Sequence, residues 1–331
     1  MPTRMVSLAL ALALAVAGLG MVSIVPPANA QSAAYPSKPI RVMIGSGAGG
    51  LADVTTRLVG QKLTDRLGQP VIVENRPSAG GILATQAVAS AAPDGHTLMV
   101  MVTGNAASKS LLKTLPYDLE KDFAPITSVA FFDLLVLVKS DSPLKTIADV
   151  VALAKTKPGG LNIATTSTGS VQNLTGHLLV AATGVKANII TYKTSGDMLG
   201  SVLRGDTEFA IDAYTSLKAA ITAKQLRPIV STGPARSQLL AEVPTMKEAG
   251  YKDFEMIGWN SLFAPAGTPP ATIALLNRHV REILALPDVQ KRFLDLGVEA
   301  KASTPEEMGQ LFKGTIEKFA DAVQRAGIQK Q

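Results

Sequence analysis

Ile40-Arg41-Val42-Met43-Ile44-Gly45-Ser46-Gly47-Ala48-Gly49-Gly50 is the stretch on which the reading of this chain turns. Five residues of strand type run into a glycine bend, and Val54, Leu58 and Leu63 then fall at helical spacing. A helix start leaves backbone N–H groups without intrahelical partners, and glycine lets a ligand approach them, so strand, bend and helix make a ready anion site. The same letters spell Gly45-x-Gly47-x-x-Gly50, the spacing of a dinucleotide-binding turn. Val71-Ile72-Val73-Glu74 is a plausible second strand, ending in an acid where a ribose-binding carboxylate belongs. Two readings compete: a dinucleotide-dependent oxidoreductase, and a site that holds a free anion.

The residues before the bend separate them. Arg4 precedes an almost wholly apolar run from Val6 to Val25, and Pro26-Pro27-Ala28-Asn29-Ala30 places small residues for a cut after Ala30. Residues 1–30 read as a secretory signal peptide. The run is nearly long enough to be a retained membrane anchor, but the small-residue site follows it directly and favours cleavage. No twin-arginine pair is present, so export is expected in an unfolded state without a bound nucleotide. The expected location is the periplasm, which weighs against a nicotinamide enzyme.

The 331 residues carry a formal net charge of +6, with 47% hydrophobic, 18% charged and 5% aromatic residues. That is the composition of a globular chain with a sizeable core. Basic residues are scattered rather than clustered among aromatics, so nucleic acid is not an expected partner. There is no cysteine, hence no disulfide, thiol nucleophile or cysteine-held metal.

Apolar strand-like runs at Ile40–Ile44, Val71–Glu74, Thr97–Val102, Leu134–Val138, Leu161–Thr165, Ala187–Tyr192, Phe209–Asp212 and Arg227–Ser231 alternate with helical patterns. This argues for an α/β fold with mostly parallel sheets flanked by helices. The chain ends in helices. Thr304-Pro305-Glu306-Glu307 is a capping box with proline at the first helical position, opening a helix with Met308, Leu311, Ile316, Phe319 and Val323 on its apolar side. Ile126–Leu134 and Glu255–Ala264 suit crossovers between lobes. They would leave a discontinuous lobe of residues 35–130 plus 260–331, a second lobe of 131–259, and a ligand cleft between them.

Constellations for catalysis are missing. His96, His177 and His279 are isolated, and no H-E-x-x-H, G-x-S-x-G or nucleotide P-loop occurs. Neither a metal nor a cofactor is expected, and the chain does not read as an enzyme. What remains is a set of polar loops after strands: Gly45–Asp53, Asn75–Gly81, Thr103–Ser108, Thr165–Asn173, Tyr192–Asp197 and Asp212–Ser216. Amides and hydroxyls in such loops suit carboxylate oxygens. Each hydrogen bond to a charged group contributes about 1.5–3 kcal/mol, so three or four suffice for affinity near micromolar.

Over nearly all of residues 35–328 the chain resembles the extracytoplasmic solute receptors of tripartite tricarboxylate transporters, the Bug-type receptors. The resemblance rests on Tyr35-Pro36-Ser37-Lys38-Pro39-Ile40, on Gly49-Gly50-x-x-Asp53, and on Gly68 through Gly81 with its Glu74-Asn75-Arg76-Pro77 string. Ala92-Pro93-Asp94-Gly95-His96-Thr97-Leu98, Val243-Pro244-Thr245 and Ala264-Pro265-Ala266-Gly267-Thr268-Pro269 continue it. It implies a two-lobed periplasmic binding protein, type II-like, that closes on a small carboxylate and delivers it to membrane permease subunits. Implied ligands are di- or tricarboxylates, acidic amino acids or aromatic carboxylates. It also implies that Gly49 and Gly50 lie at the ligand, that the loops at Ser167–Asn173 and Tyr192–Ser195 face them, and that Glu74 belongs to a structural turn. The chain departs from the family where Gly45-Ser46-Gly47-Ala48 replaces a proline-bearing loop, where Asn173 stands for a common histidine, and where Thr194 replaces a glycine. No particular substrate is carried over.

The expected site follows. Ala48, Gly49 and Gly50 supply amides to one carboxylate, with Ser46, Thr103 and Asn105 adding side-chain bonds. Ser167, Thr168, Ser170, Asn173, Tyr192 and Thr194 close from the second lobe. Asp53 caps or orients the first loop, and Asp212 is available to an ammonium group if the ligand is an amino acid. The receptor is expected to act as a monomer. An exported sensor of the same fold is the alternative to transport.

Overall fold

The computed structural model describes residues 35–325 and 327–330. The expected signal peptide and its cut after Ala30 lie outside the described residues. From Lys38 onward the chain forms one compact unit.

Its first half alternates as its periodicity predicts: β1 (Ile40–Ile44), α1 (Leu51–Leu67), β2 (Val71–Asn75), α2 (Ile82–Ala89), β3 (Thr97–Val102). Parallel β2 and β3 flank β1, with Ile40 opposite Val71 and Arg41 opposite Thr97. α1 ends at Gly68, which adopts the left-handed conformation (φ 68°) and donates its N–H to Thr64 O. Gly60 lets α1 lie close on β2, since a Cβ there would sit 3.2 Å from Val71 Cγ1. Thr103–Ser108, read from sequence as a loop, instead opens a helix, α3 (Thr103–Leu111).

The largest difference from the sequence reading comes next. Ile126–Leu134, expected as a crossover between lobes, is part of a 17-residue strand, β4 (Phe123–Lys139), and Glu255–Ala264, expected as the other crossover, also falls largely in a strand. After it come α4 (Ile147–Thr156), β5 (Leu161–Thr166), α5 (Val171–Thr183), β6 (Ala187–Tyr192), α6 (Ser195–Arg204), β7 (Phe209–Ala213), α7 (Tyr214–Thr222) and β8 (Leu226–Ser231). The chain ends with β9 (Ile257–Pro265), α8 (Pro270–Leu284), α9 (Pro287–Asp295), β10 (Glu299–Ala300) and α10 (Pro305–Arg325). The sheet runs β2-β1-β3-β9-β4-β7-β5-β6, with β8 and β10 also on β4. Pairing is parallel toward both ends of that path and antiparallel around β4. Up to Asp133, β4 pairs with β9; from Leu134 onward it pairs with β7, and from Leu135 with β8.

Packing holds this shared strand in place. Trp259 and Phe263 of β9 are buried against Phe312 of α10, at ring separations of 5.9 and 5.1 Å. α10 also packs on α3, on β4 and on α5, so it covers elements from both halves of the sheet path. Its expected capping box forms: Glu307 N donates to Thr304 Oγ1 at 3.1 Å and Thr304 N to Glu307 Oε2 at 2.8 Å. Met308, Ile316, Phe319 and Val323 are buried as the pattern requires.

Thr103 ties β9 to α3. Its hydroxyl accepts from Trp259 N at 2.6 Å and donates to Trp259 O at 3.3 Å. Thr103→Val would bury that N–H without a partner, which costs about 1–3 kcal/mol. Urea unfolding is expected to show this loss as a lower midpoint at unchanged slope.

Candidate functional site

The bend after β1 is held by the end of β2. Asn75 Nδ2 donates to Ser46 O at 3.2 Å, and Arg76 N donates to Ile44 O at 2.8 Å. Asp53 accepts from Gly49 N and from Arg57 Nε, both at 2.9 Å, and Arg57 also donates to Asn75 Oδ1. Burial pushes the Asp53 carboxyl up, but Arg57, the Gly49 amide and Asn75 together hold it below the ordinary carboxylate range. Glu74 accepts two bonds from Arg41, at 2.6 and 2.8 Å, so it is a buttress of β1 and β2 and not a ribose ligand.

Backbones meet closely behind this bend. A Cβ on Gly45 would fall 2.6 Å from Gly81 Cα, and one on Gly81 would fall 3.1 Å from Asn105 Nδ2. Glycine at both positions therefore brings together the loops after β1 and β2 and the start of α3. Asn105 completes the junction, donating to Gly80 O at 3.1 Å and accepting from Val102 N at 2.8 Å.

A cavity of about 360 Å³ opens at this junction. Gly45, Ser46, Ser78, Gly80 and Gly81 line it from the first two loops, and Val100, Val102, Gly104, Asn105, Ser108, Leu111 and Leu112 from β3 and α3. Ser167, Thr168, Gly169 and Ser170 line it from the loop after β5. The starts of α2, α3 and α5 thus border one space, and none of the lining side chains is charged. N-terminal helix ends carry partial positive charge, so this space favours an anion without any cation. Ser170 caps α5, accepting from Asn173 N at 3.1 Å and from Thr166 Oγ1 at 2.9 Å.

The expected residues separate into two groups. Ser46, Asn105, Ser167, Thr168 and Ser170 share the cavity wall. Ala48, Gly49 and Gly50 lie beyond it on the exposed part of the bend, where α1 starts at Gly50 without a side-chain cap. Asp53 is buried behind them and takes the Gly49 N–H, so that amide, expected at a ligand carboxylate, is already engaged within the bend. Thr103 is spent on Trp259, and Asn173 on Gly169 N and Thr165 Oγ1. Thr194 caps α6 by accepting from Asp197 N, and Tyr192 ends β6 outside the cavity wall.

Asp212 is fully buried and its carboxylate accepts from Gln172 Nε2, Ser195 Oγ, Ala213 N and Ser216. Burial pushes this acid up against the pull of those donors. It staples α5, α6 and β7 together and does not line the cavity. Sequence reasoning passed over Ser78, Gly80 and Gly81 as individual residues, although their loop was singled out, and gave no signal for Val100, Val102, Leu111 and Leu112.

A larger cavity, about 700 Å³, lies beside β4 among Phe131, Phe132, Asp133, Arg236, Lys291 and Glu299. It is a poorer place for an anion. Burial pushes the Asp133 carboxyl up, Ser231 lowers it, and Glu299 and Glu255 add to the rise. Of its cations, Arg236 and Lys291 are already paired with Glu248 and Asp295, and Lys301 lies over the Phe131 ring, 5.9 Å from its centroid.

An uncharged cleft of hydroxyls, helix-start amides and aliphatic side chains, set among strand-end loops of an α/β sheet, defines a solute-binding protein. The sequence model described as "Tripartite tricarboxylate transporter family receptor" matches residues 55–328, and the chain belongs to that family. BugT of Bordetella pertussis is 32% identical over 315 residues, covering 93% of this chain and 95% of BugT. An R. palustris protein solved with adipate superposes at a TM-score of 0.80 with 28% identity, over 90% of this chain and 100% of that one. MatC from Rhodopseudomonas palustris with bound malate gives 0.76 and 31%, over 87% and 100%. No helix among the described residues is long and apolar enough to cross a membrane.

Two measurements follow from the bend. Gly45→Ala forces a Cβ into the Gly81 backbone and is expected to destabilise by about 1–3 kcal/mol. Gly47→Ala meets nothing within 4 Å and is expected to stay within about 0.5 kcal/mol of the parent; thermal melts of both check the contrast. Asp53 has a folded-state pKa below its unfolded one, so its contribution is complete above the unfolded value and lost as pH falls through the folded one. The stability gap between the parent and Asp53→Asn, from urea unfolding between pH 7 and pH 3, is therefore expected to shrink on acidification.

Proposed function

We propose that this protein is a periplasmic receptor that holds a small carboxylate in the cavity between the first-half loops and Ser167–Ser170, and delivers it to the permease subunits of a tripartite tricarboxylate transporter. The observation that carries this reading is a cavity bordered by three helix starts and lined by no charged side chain. Such a wall balances a carboxylate by N–H and O–H groups and needs no chemistry from it. The adipate and malate found with two structurally similar proteins support the ligand class.

In this reading the two lobes divide where β4 and β9 pass between them, with residues 35–130 and 260–331 in one lobe and 131–259 in the other. Ligand closes them: the amides of Ala48 and Gly50 lie at the rim, Ser46 and Asn105 face Ser167, Thr168 and Ser170, and Tyr192 and Thr194 border the entrance. The receptor acts as a monomer and transforms nothing.

Gly169 holds a left-handed backbone conformation on the cavity wall, where a side chain would be strained and would press on Leu111. Its φ is 80°, and a Cβ there would fall 2.7 Å from Leu111 Cδ1. Calorimetry against a panel of small carboxylates is expected to show at least one ligand near micromolar affinity, weakened tenfold or more by Gly169→Ala. A panel without any binder, or equal affinity in that variant, would remove the cavity from the function.

A further inference from the structure

The cavity's polar and aliphatic parts come from different elements. Hydroxyls at Ser46, Ser78, Ser167, Thr168 and Ser170 stand on the loops after β1, β2 and β5, while Val100, Val102, Leu111 and Leu112 come from β3, α3 and the residue that ends α3. We propose that this site is matched to an acid with one carboxylate on an apolar body, and that it discriminates against dicarboxylates of the same length. The proposal rests on the receptor reading above and adds the ligand's second end.

Donor accounting on the two walls carries it. The Oγ of Ser170 accepts two bonds, from Thr166 and Asn173, and that of Ser78 accepts one from Leu83 N, so each keeps its own proton to donate. No hydroxyl proton of Ser46, Ser78, Ser167, Thr168 or Ser170 meets an acceptor among the described residues. These groups can satisfy one carboxylate, helped by the helix starts beside them.

The other wall has little left to give. Asn105 accepts from Val102 N at its amide oxygen and gives one of its two Nδ2 protons to Gly80 O, and Ser108 Oγ donates to Asn105 O at 2.7 Å. Away from the start of α3 at Gly104, that wall is the aliphatic surface of Val100, Val102, Leu111 and Leu112, and no lysine, arginine or histidine lines the cavity. A second carboxylate lodged against Val100, Leu111 and Leu112 would lose water and meet no charged partner, whereas a methyl or phenyl end would gain by burial. At about 360 Å³ the space is at the small end of ligand pockets, which limits the room for a carboxylate to keep its own water shell.

Hexanoate and adipate test this directly, since they share a six-carbon chain and differ only in one terminus. Calorimetry on the purified protein is expected to give at least tenfold tighter binding of hexanoate. In Leu112→Lys, which puts an ammonium on the aliphatic wall, the preference is expected to invert; in Thr168→Val both acids are expected to weaken together. Adipate binding as tightly as hexanoate, or a preference unmoved by Leu112→Lys, would overturn the proposal and leave the receptor standing. Failure of both acids and of the whole carboxylate panel would overturn the receptor reading, and this one with it.

Discussion

One strand is common property of the whole molecule. β4 is hydrogen-bonded to β9 as far as Asp133 and to β7 and β8 beyond it, so the two halves of the sheet are continuous through a single backbone. Ser231 to Gly233 reinforce the changeover: Thr232 N donates to Leu134 O, Leu134 N donates to Thr232 Oγ1, and Thr232 Oγ1 in turn donates to Met256 O. Every loop of the candidate site is positioned relative to this line. The loops after β1, β2 and β3 stand on one side of the changeover in the sheet order and the loop after β5 on the other.

The same constraint explains the electrostatics. A cleft assembled from loop backbones brings helix starts together, and their N–H groups supply positive potential without the desolvation cost of a buried lysine or arginine. The acids of the structure are then kept away from the ligand space by being used elsewhere. Asp53 holds the Gly49 amide and Arg57, Glu74 holds Arg41, and Asp212 gathers donors from three elements of the second half. Each is a positioning group whose work is to fix a loop that bears the site.

Much of this was legible in the residues. The alternation of apolar runs with helical patterns foretold the parallel ends of the sheet, and the Thr304–Glu307 box foretold the start of α10. The resemblance to the receptor family, and not the residues by themselves, implied that Glu74-Asn75-Arg76-Pro77 is a structural turn. Less legible was anything depending on contacts distant in sequence. Thr103 and Asp212 look like site residues because hydroxyls and carboxylates at strand ends suit a ligand, yet their partners are Trp259, 156 residues away, and Gln172, 40 residues away. Val100 and Leu112 carry the opposite ambiguity, because an apolar residue that walls a cavity has the same local pattern as one that fills a core.

By itself, then, the order of residues determined local devices: the strands at both ends of the sheet path, the capped start of α10, and the glycine bend after β1. These are short-range consequences of side-chain shape and hydrogen bonding within a few residues. Only the tertiary structure decided that Ile126–Leu134 belongs to one long strand, that Gly45 rests on Gly81, and that Ser167–Ser170 shares a cavity with Leu111. Those facts arise from pairing and packing between segments far apart in the chain, for which no single stretch holds the information.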